Sequence, residues 1–208
     1  MDAIDIPTPH GEARAHVQTA SEARGALILG HGAGGGVGAP DLQAAAAVAL
    51  ERRLAVALIE QPYRRAGRRA PAPAAQLDVA WRTVVCELRE KAFAGLPLVV
   101  GGRSLGARVA CRSAVELDAV GVLCLAFPLL PPRRARSTRI PQSRLPELEA
   151  VAVPTLVVQG RRDQFGVPPS GPKRQVVEVN ADHSLRSDLP AQRDALGHWL
   201  DRLTTLVH

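Results

Sequence analysis

Short apolar runs alternate along the chain with stretches in which apolar residues recur every three or four positions. The runs are typical of buried strands, and the wider spacing is typical of one face of a helix. The predicted strands cover residues 3–7, 12–18, 25–30, 54–59, 97–101, 120–125, 154–159 and 175–179. The predicted helices cover residues 42–50, 77–88, 105–117 and 189–203, with a brief helix near 144–151.

The order of these elements predicts the fold class. The first two strands alternate in polarity and predict an edge hairpin, while the later strands alternate with helices. Such alternation favours an α/β fold with a mostly parallel, twisted sheet and helices on both faces. A length of 208 residues suits one domain over residues 1–208. Because only 3% of the residues are aromatic, Ala, Val and Leu must build most of the core.

A G-x-S-x-G pentapeptide, residues 102–106, joins the strand at 97–101 to the helix that follows it. A serine at such a turn adopts strained backbone angles, so small residues are needed two positions before and after it. The turn would expose the hydroxyl of Ser104 beside the N–H groups of a helix N-terminus. This arrangement predicts a nucleophile, whereas an ordinary glycine-rich turn is the structural alternative.

A second glycine-rich turn follows the strand at 25–30 and begins with His31-Gly32-Ala33-Gly34. Acyl transfer at a serine needs two backbone N–H donors for the oxyanion, one from the residue after the serine and one from an earlier loop. We therefore predict Leu105 and Ala33 as donors, with Gly34 as the next candidate. A phosphate-binding loop is disfavoured because no G-x-x-x-x-G-K-[ST] motif is present.

Two further strands end in groups that complete a serine-hydrolase site. Asp163 follows the strand at 154–159, and His183 follows the strand at 175–179. The order Ser104, Asp163, His183 is that of one class of serine hydrolases, and all three lie after carboxyl ends of predicted strands. We predict Ser104 as nucleophile, His183 as base and Asp163 as the acid that orients it.

Other residues near these strand ends leave alternatives open. His31 is a rival base, although a role in ordering its loop is the stronger interpretation. Asp182 and Glu60 are rival acids. The predicted substrate-binding residues are His31, Arg103 and Tyr63, and Tyr63 has packing beneath the loop as its structural alternative.

Taken together, these segments resemble the α/β-hydrolase superfamily, its small dienelactone-hydrolase-like group and, most closely, the testis-expressed-protein-30-like hydrolases. The matching segments are residues 31–34, 60–63, 66–69, 101–106, 126–132, 158–166 and 181–183. The resemblance implies a hydrolase-like site and leaves the substrate unnamed, because Ser104 stands where dienelactone hydrolases have a cysteine. Larger hydrolases insert a cap at the place of residues 128–150, which are few and proline-rich here, so we expect a minimal cap or none.

The net charge, the apolar runs and the cysteine content indicate which binding partners and which cell compartment to expect. The net charge is +6, but the chain has no zinc module, helix-turn-helix or base-stacking aromatics, so we expect no nucleic-acid partner. No apolar run is long enough to cross a bilayer, and the start lacks the pattern of a signal peptide. Cys86, Cys111 and Cys124 fall in apolar patterns and predict reduced core thiols in a cytoplasmic protein.

Two arginine clusters follow predicted strands and should lie at the edge that carries the site. They consist of Arg64, Arg65, Arg68 and Arg69, and of Arg133, Arg134, Arg136 and Arg139. A solvated rim is the structural interpretation, and steering of an anionic substrate or an acidic partner is the functional one.

The function predicted from the sequence is that of a serine hydrolase acting on a small-molecule ester, thioester or lactone. It would need no metal and no organic cofactor. The alternative is a hydrolase-fold interaction module with marginal turnover, whose arginine-rich rim binds an acidic partner. The sequence leaves the oligomeric state open.

Overall fold

The sheet is the framework that positions the site. The computed structural model describes residues 1–132 and 142–206, and eight strands pair within them. The strands are β1 (Asp2–Thr8), β2 (Gly11–Gln18), β3 (Ala26–Gly30), β4 (Ala55–Glu60), β5 (Leu98–Arg103), β6 (Gly121–Leu125), β7 (Thr155–Gly160) and β8 (Arg174–Val179). Their order across the sheet is β1-β2-β4-β3-β5-β6-β7-β8.

Strand direction confirms the predicted mostly parallel sheet. β1 and β2 form the antiparallel edge hairpin, and β2 continues antiparallel onto β4. From β4 to β8 every neighbouring pair is parallel. The carboxyl ends of β3, β5 and β7 therefore meet at one edge of the sheet, which is where ligands bind in open α/β folds.

The helices follow the predicted positions with two differences. They are α1 (Pro40–Glu51), α2 (Pro62–Arg65), α3 (Ala74–Lys91), α4 (Leu105–Ser113), α5 (Leu145–Glu149) and α6 (Leu189–Leu206). We predicted a loop where α2 forms, but a proline at its first position favours one helical turn. α4 ends before the predicted residue 117 because residues 114–118 continue as turns up to Asp118, whose φ is +46°.

Helices cover both faces of the sheet, as predicted. α3, α4 and α5 enclose a core that contains Trp81 and Phe127, and α1 and α6 enclose a second core that contains Leu42 and Trp199. Alanines such as Ala49 are fully buried and let the helices lie close to the strands. In the described residues no helix combines the length and hydrophobicity that a membrane crossing requires.

Two details concern the predicted cysteines and the cap. Cys111 and Cys124 are buried thiols, as predicted, but the prediction was wrong for Cys86, which is exposed on α3. The buried face of α3 contains Val85 and Leu88. Cys86 lies between them in the sequence but outside this face. Between β6 and β7 the described residues contain only the short helix α5, which fits the minimal cap, and residues 133–141 lie outside the described part.

Three glycines bring β3 against the turn between β5 and α4. A Cβ on Gly102 or Gly106 would overlap the backbone of Gly30. Because these atoms are backbone, neither neighbour has a flexible side chain that could move aside. The two glycines of the pentapeptide are therefore needed for packing against β3, in addition to relieving the turn itself.

We predict that Gly106→Ala lowers the free energy of unfolding by about 2 kcal/mol or more, because the added methyl has no space beside Gly30. Gly38→Ala is the matched control, since nothing lies within 4 Å of a Cβ there and its φ is not positive. Denaturant unfolding of both variants measures the difference. Equal free energies of unfolding for the two variants would show that the backbone around Gly106 can move to accommodate the methyl group.

Candidate active site

Ser104 occupies a strained turn at the carboxyl end of β5. Its φ of +52° and ψ of −104° lie in a region that residues with a Cβ rarely adopt. Its N–H donates to the carbonyl of Leu125 at 2.9 Å, so the turn is tied to the end of β6. The next residue, Leu105, begins α4, and the serine hydroxyl consequently lies at a helix N-terminus.

The structure brings together the three residues predicted to act as nucleophile, base and acid. His183 Nε2 lies 3.0 Å from Ser104 Oγ, and His183 Nδ1 lies 2.8 Å from Asp163 Oδ2. Because the carboxylate only accepts hydrogen bonds, Nδ1 carries the proton, and Nε2 is left to accept the serine proton. The Asp163 side chain is fully buried, while 19% of the His183 side chain is exposed.

A buried glutamine holds Asp163 in place. Gln159 Nε2 lies 2.7 Å from Asp163 Oδ2 and also reaches the carbonyls of Phe127 and Gly166, at 3.2 and 3.0 Å. The other oxygen, Oδ1, accepts from the N–H of Phe165 at 2.9 Å. No sequence motif predicts a role for Gln159. Its signal was an amide at the end of an otherwise apolar, fully buried strand.

His183 is positioned by Phe165 and Arg103. The Phe165 ring packs edge-on against the imidazole, with centroids 4.6 Å apart. Arg103 Nη2 donates to the His183 carbonyl at 3.1 Å, and Arg103 Nε lies 2.9 Å from Asp41 Oδ2. Burial raises the pKa of Asp41, and the guanidinium of Arg103 opposes that rise. Arg103, predicted to bind substrate, lines the cleft and joins the His183 loop to the start of α1.

The predicted oxyanion donors lie beside Ser104. Ala33, Gly34 and Leu105 all line the same cleft as Ser104. Among the hydrogen bonds that the described residues form, none uses the N–H of Ala33, Gly34 or Leu105 as donor. Two free N–H groups from separate loops are what a developing oxyanion requires. Tyr63 Oη donates to the Ala33 carbonyl at 3.2 Å and so steadies this loop.

The remaining predicted substrate-binding residues, Tyr63 and His31, are buried and do not line the cleft at Ser104. His31 Nε2 accepts from the N–H of Gln61 at 3.2 Å, which places the ring proton on Nδ1, 2.8 Å from the carbonyl of Gly32. Burial lowers the pKa of His31, so the ring is held neutral. Both side chains thus support the loop that carries Ala33. For both residues this is the structural role given above as the alternative to substrate binding.

The rival acids are engaged elsewhere. Asp182 is exposed, and its Oδ1 accepts from the N–H and hydroxyl of Ser184 at 2.8 and 2.6 Å. Glu60 Oε2 lies 3.4 Å from His16 Nε2, on the hairpin side of the sheet. Of the described carboxylates, only that of Asp163 forms a hydrogen bond with the His183 ring.

An open cleft of about 570 Å³ contains Ser104 and His183. Its lining residues are Ala33, Gly34, Pro71, Ala72, Ala74, Leu77, Arg103, Ser104, Leu105, Arg108, Arg112, Pro128, Pro132, Arg144, Gln164, Phe165 and His183. The described lining thus contains four arginines and no acidic side chain. Apolar lining residues include Pro71, Leu77 and Phe165.

The two arginine clusters contribute little to this lining in the described residues. In the first cluster, Arg65 lies 3.1 Å from Glu12 and 3.4 Å from Asp5, so its charge is paired. Arg68 and Arg69 are exposed. The second cluster, within residues 133–141, lies outside the described residues.

Elsewhere in the described chain, no group of three His, Cys, Asp or Glu residues is arranged to hold a metal ion.

Comparison with known proteins identifies the fold family. Residues 23–190 match the alpha/beta hydrolase domain family. The chain belongs to this family. A comparison with curated proteins gives no match. The finer resemblance to the testis-expressed-protein-30-like hydrolases stays a prediction, while family membership supports a hydrolase enzyme.

Several solved structures share this α/β-hydrolase fold. A serine hydrolase without a lid from Xanthomonas campestris is 20% identical, with a TM-score of 0.72 and coverage of 97% of this chain and 94% of the other. Est1E from Butyrivibrio proteoclasticus is 14% identical, with a TM-score of 0.79 and coverage of 99% and 100%. A dienelactone hydrolase from Anabaena variabilis is 16% identical, with a TM-score of 0.73 and coverage of 97% and 96%.

We predict that His31 makes the stability of this α/β-hydrolase pH-dependent. The unfolded chain protonates His31 near pH 6.5, whereas the folded chain resists protonation because the pKa is lowered. The unfolded state therefore binds more protons in the window below that pH, and the free energy of unfolding falls as the pH drops through it. One such proton contributes at most about 1.4 kcal/mol per pH unit.

Denaturant unfolding of the wild type and of His31→Gln between pH 7.5 and 5 tests this, with about 1 kcal/mol per pH unit as the expected difference in slope. The variant should lose less stability on acidification. Parallel slopes would assign the acid sensitivity to other groups.

Proposed function

We propose that this α/β-hydrolase is a serine hydrolase that cleaves small esters, thioesters or lactones through an acyl-enzyme on Ser104. The observation that carries the proposal is the unbroken hydrogen-bond chain from Ser104 through His183 to Asp163, at 3.0 and 2.8 Å. A serine, an imidazole and a buried carboxylate in this sequence of contacts are the parts of a nucleophile activated by a general base.

In the acylation step, Ser104 Oγ attacks the substrate carbonyl carbon while His183 Nε2 accepts the serine proton. The carbonyl oxygen becomes an oxyanion, which the free N–H groups of Ala33 and Leu105 stabilise. His183, now protonated on both nitrogens, is stabilised by Asp163. When the tetrahedral intermediate collapses, the bond to the leaving group breaks, and His183 returns the proton to the departing oxygen or sulfur.

In the deacylation step, a water molecule takes the place of the leaving group. His183 Nε2 accepts a proton from this water as its oxygen attacks the acyl carbon, and the same two N–H groups hold the new oxyanion. Collapse breaks the bond to Ser104 Oγ, and His183 donates the proton back to the serine. The products are a carboxylic acid and the regenerated Ser104 hydroxyl, and no metal or organic cofactor enters the predicted cycle.

The open cleft favours small substrates, because between β6 and β7, where larger hydrolases insert a cap, the described residues form only the short helix α5. We retain the cytoplasm as the predicted location. The free thiols of Cys86, Cys111 and Cys124 support a reducing compartment.

We predict that a fluorophosphonate probe labels the wild type on Ser104 and that Ser104→Ala abolishes the labelling, since the probe reacts only with an activated hydroxyl. Asp163→Asn should slow labelling by about a thousandfold or more because the histidine tautomer is no longer enforced. Hydrolysis of p-nitrophenyl acetate, 4-nitrophenyl thioacetate and a small lactone measures turnover. An unlabelled, folded wild type that binds an acidic protein stoichiometrically would contradict the enzyme and favour the interaction module.

We predict that Gln159→Leu lowers kcat for p-nitrophenyl acetate about tenfold with little change in KM, because Asp163 loses the donor that aims it at His183. Gln192→Leu is the matched control, since this equally buried glutamine donates to the Asp41 carbonyl instead. Both variants should lose about 1–3 kcal/mol of stability. A kcat that falls equally in the folded control would remove the specific role of Gln159.

A further inference from the structure

Three arginines form one wall of the cleft that contains Ser104. Arg108 and Arg112 lie on α4, and Arg144 directly precedes α5, with all three side chains lining the cleft. We call these residues the arginine wall. The wall shares no residue with the two arginine clusters named from the sequence, and neither the predicted chemistry nor the predicted oxyanion donors use it.

The carboxylates behind the arginine wall neutralise only part of its charge. Arg112 forms a bidentate pair with Asp78 at 2.6 and 2.8 Å, and Arg108 forms one with Glu147 at 2.5 and 2.8 Å. Arg144 has no carboxylate within 4.0 Å among the described residues, and its Nη1 donates only to the Pro128 carbonyl at 3.2 Å. Three guanidinium groups thus face two carboxylates, and one positive charge is left over.

The unpaired charge is partly buried and crowded by like charges. Burial lowers the pKa of Arg144, the positive charges of Arg108 and Arg112 lower it further, and Glu147 opposes this. A guanidinium that is disfavoured by its surroundings gains from an anion placed against it. Arg103, the fourth arginine of the cleft, is already paired with Asp41.

No acid of the protein competes for this position in the described lining. The cleft contains no Asp or Glu side chain among its described lining residues. The sequence of residues 133–141, which the structure does not describe, contains no Asp or Glu either. Within the described lining Arg144 is therefore free to pair with an anionic group of a bound molecule.

The helix geometry sets how far this anion lies from the reacting carbonyl. Arg108 and Arg112 follow Ser104 by one and two helical turns, so their backbones lie about 6 and 12 Å further along α4. A molecule that reaches both Ser104 and the arginine wall needs a chain of several atoms between the two groups.

We propose that the arginine wall, with Arg144 as its main donor, binds an ionised carboxylate carried by the substrate several bonds away from the ester that Ser104 attacks. Half-esters of dicarboxylic acids of medium length have this chemistry. The inference rests on the proposed function for the ester and adds the recognition of a second, anionic group.

The test compares monophenyl adipate, which carries the carboxylate, with phenyl hexanoate, which lacks it, by release of phenol at low and constant ionic strength. The wild type should prefer the adipate in kcat/KM. Arg144→Gln should reduce the ratio of the two kcat/KM values about tenfold or more, and Arg144→Lys should restore part of it. Arg202→Gln is the control, because it removes the same charge from an exposed residue that lies outside the cleft lining and should keep the wild-type ratio.

Inhibition of phenyl hexanoate hydrolysis separates the possible anions. Free adipate should inhibit the wild type more strongly than Arg144→Gln, and inorganic phosphate should inhibit both weakly. Stronger inhibition by phosphate than by adipate would overturn the assignment to carboxylates.

The outcomes distinguish this inference from the proposed function. In the first outcome, Ser104 is labelled and phenyl hexanoate is cleaved, but the ratio of kcat/KM for the adipate to kcat/KM for the hexanoate is the same in the wild type and in Arg144→Gln. The arginine wall then does not bind substrate, and the proposed hydrolase function still holds. In the second outcome, neither ester is cleaved, yet calorimetry shows adipate binding that Arg144→Gln abolishes. This result contradicts the proposed hydrolase function and supports the carboxylate-binding site.

Discussion

The close approach of β3 to the turn between β5 and α4 is the constraint on which the rest of the site depends. Gly102 and Gly106 have no room for a side chain because the backbone of Gly30 lies against them. This contact places the loop after β3 beside Ser104, so that Ala33 and Leu105, from two distant segments, line the same cleft. Without it, the strained serine would have a helix N-terminus on one side and no second donor on the other.

Around this contact, hydrogen bonds between polar groups connect the segments that carry the site. Gln159 links Asp163 to two backbone carbonyls, and Arg103 links the His183 loop to Asp41 at the start of α1. These hydrogen bonds restrain the site, because a movement of Asp163 or of the His183 loop would break at least one of them. The His183 imidazole is also held by Asp163 and Phe165, although 19% of its side chain is exposed.

The cleft combines Ser104 and His183 with the arginine wall. In the proposed mechanism, Ser104 and the N–H groups of Ala33 and Leu105 deal with charge that develops during the reaction, whereas Arg144 lines the cleft with a permanent charge that the described carboxylates leave unpaired. The two sets of groups lie on different segments, since Arg144 directly precedes α5 whereas Ser104 directly precedes α4. An enzyme that used both sets of groups would select its substrates by an anionic group remote from the bond that it breaks. Because the mouth of the cleft is open, the shape of the substrate would contribute less to this selection.

Local pattern alone determined the strands, most helices, the serine turn, and the strand ends that carry Asp163 and His183, because each depends on neighbours a few residues away. The tertiary structure decided what neighbours in space control: that the hairpin pairs with β4, that His31 and Tyr63 support a loop beneath the cleft, and that Gln159 holds Asp163. It also decided which arginine remains unpaired. Such outcomes depend on distances between residues far apart in the chain, and a linear pattern of polarity contains no information about those distances.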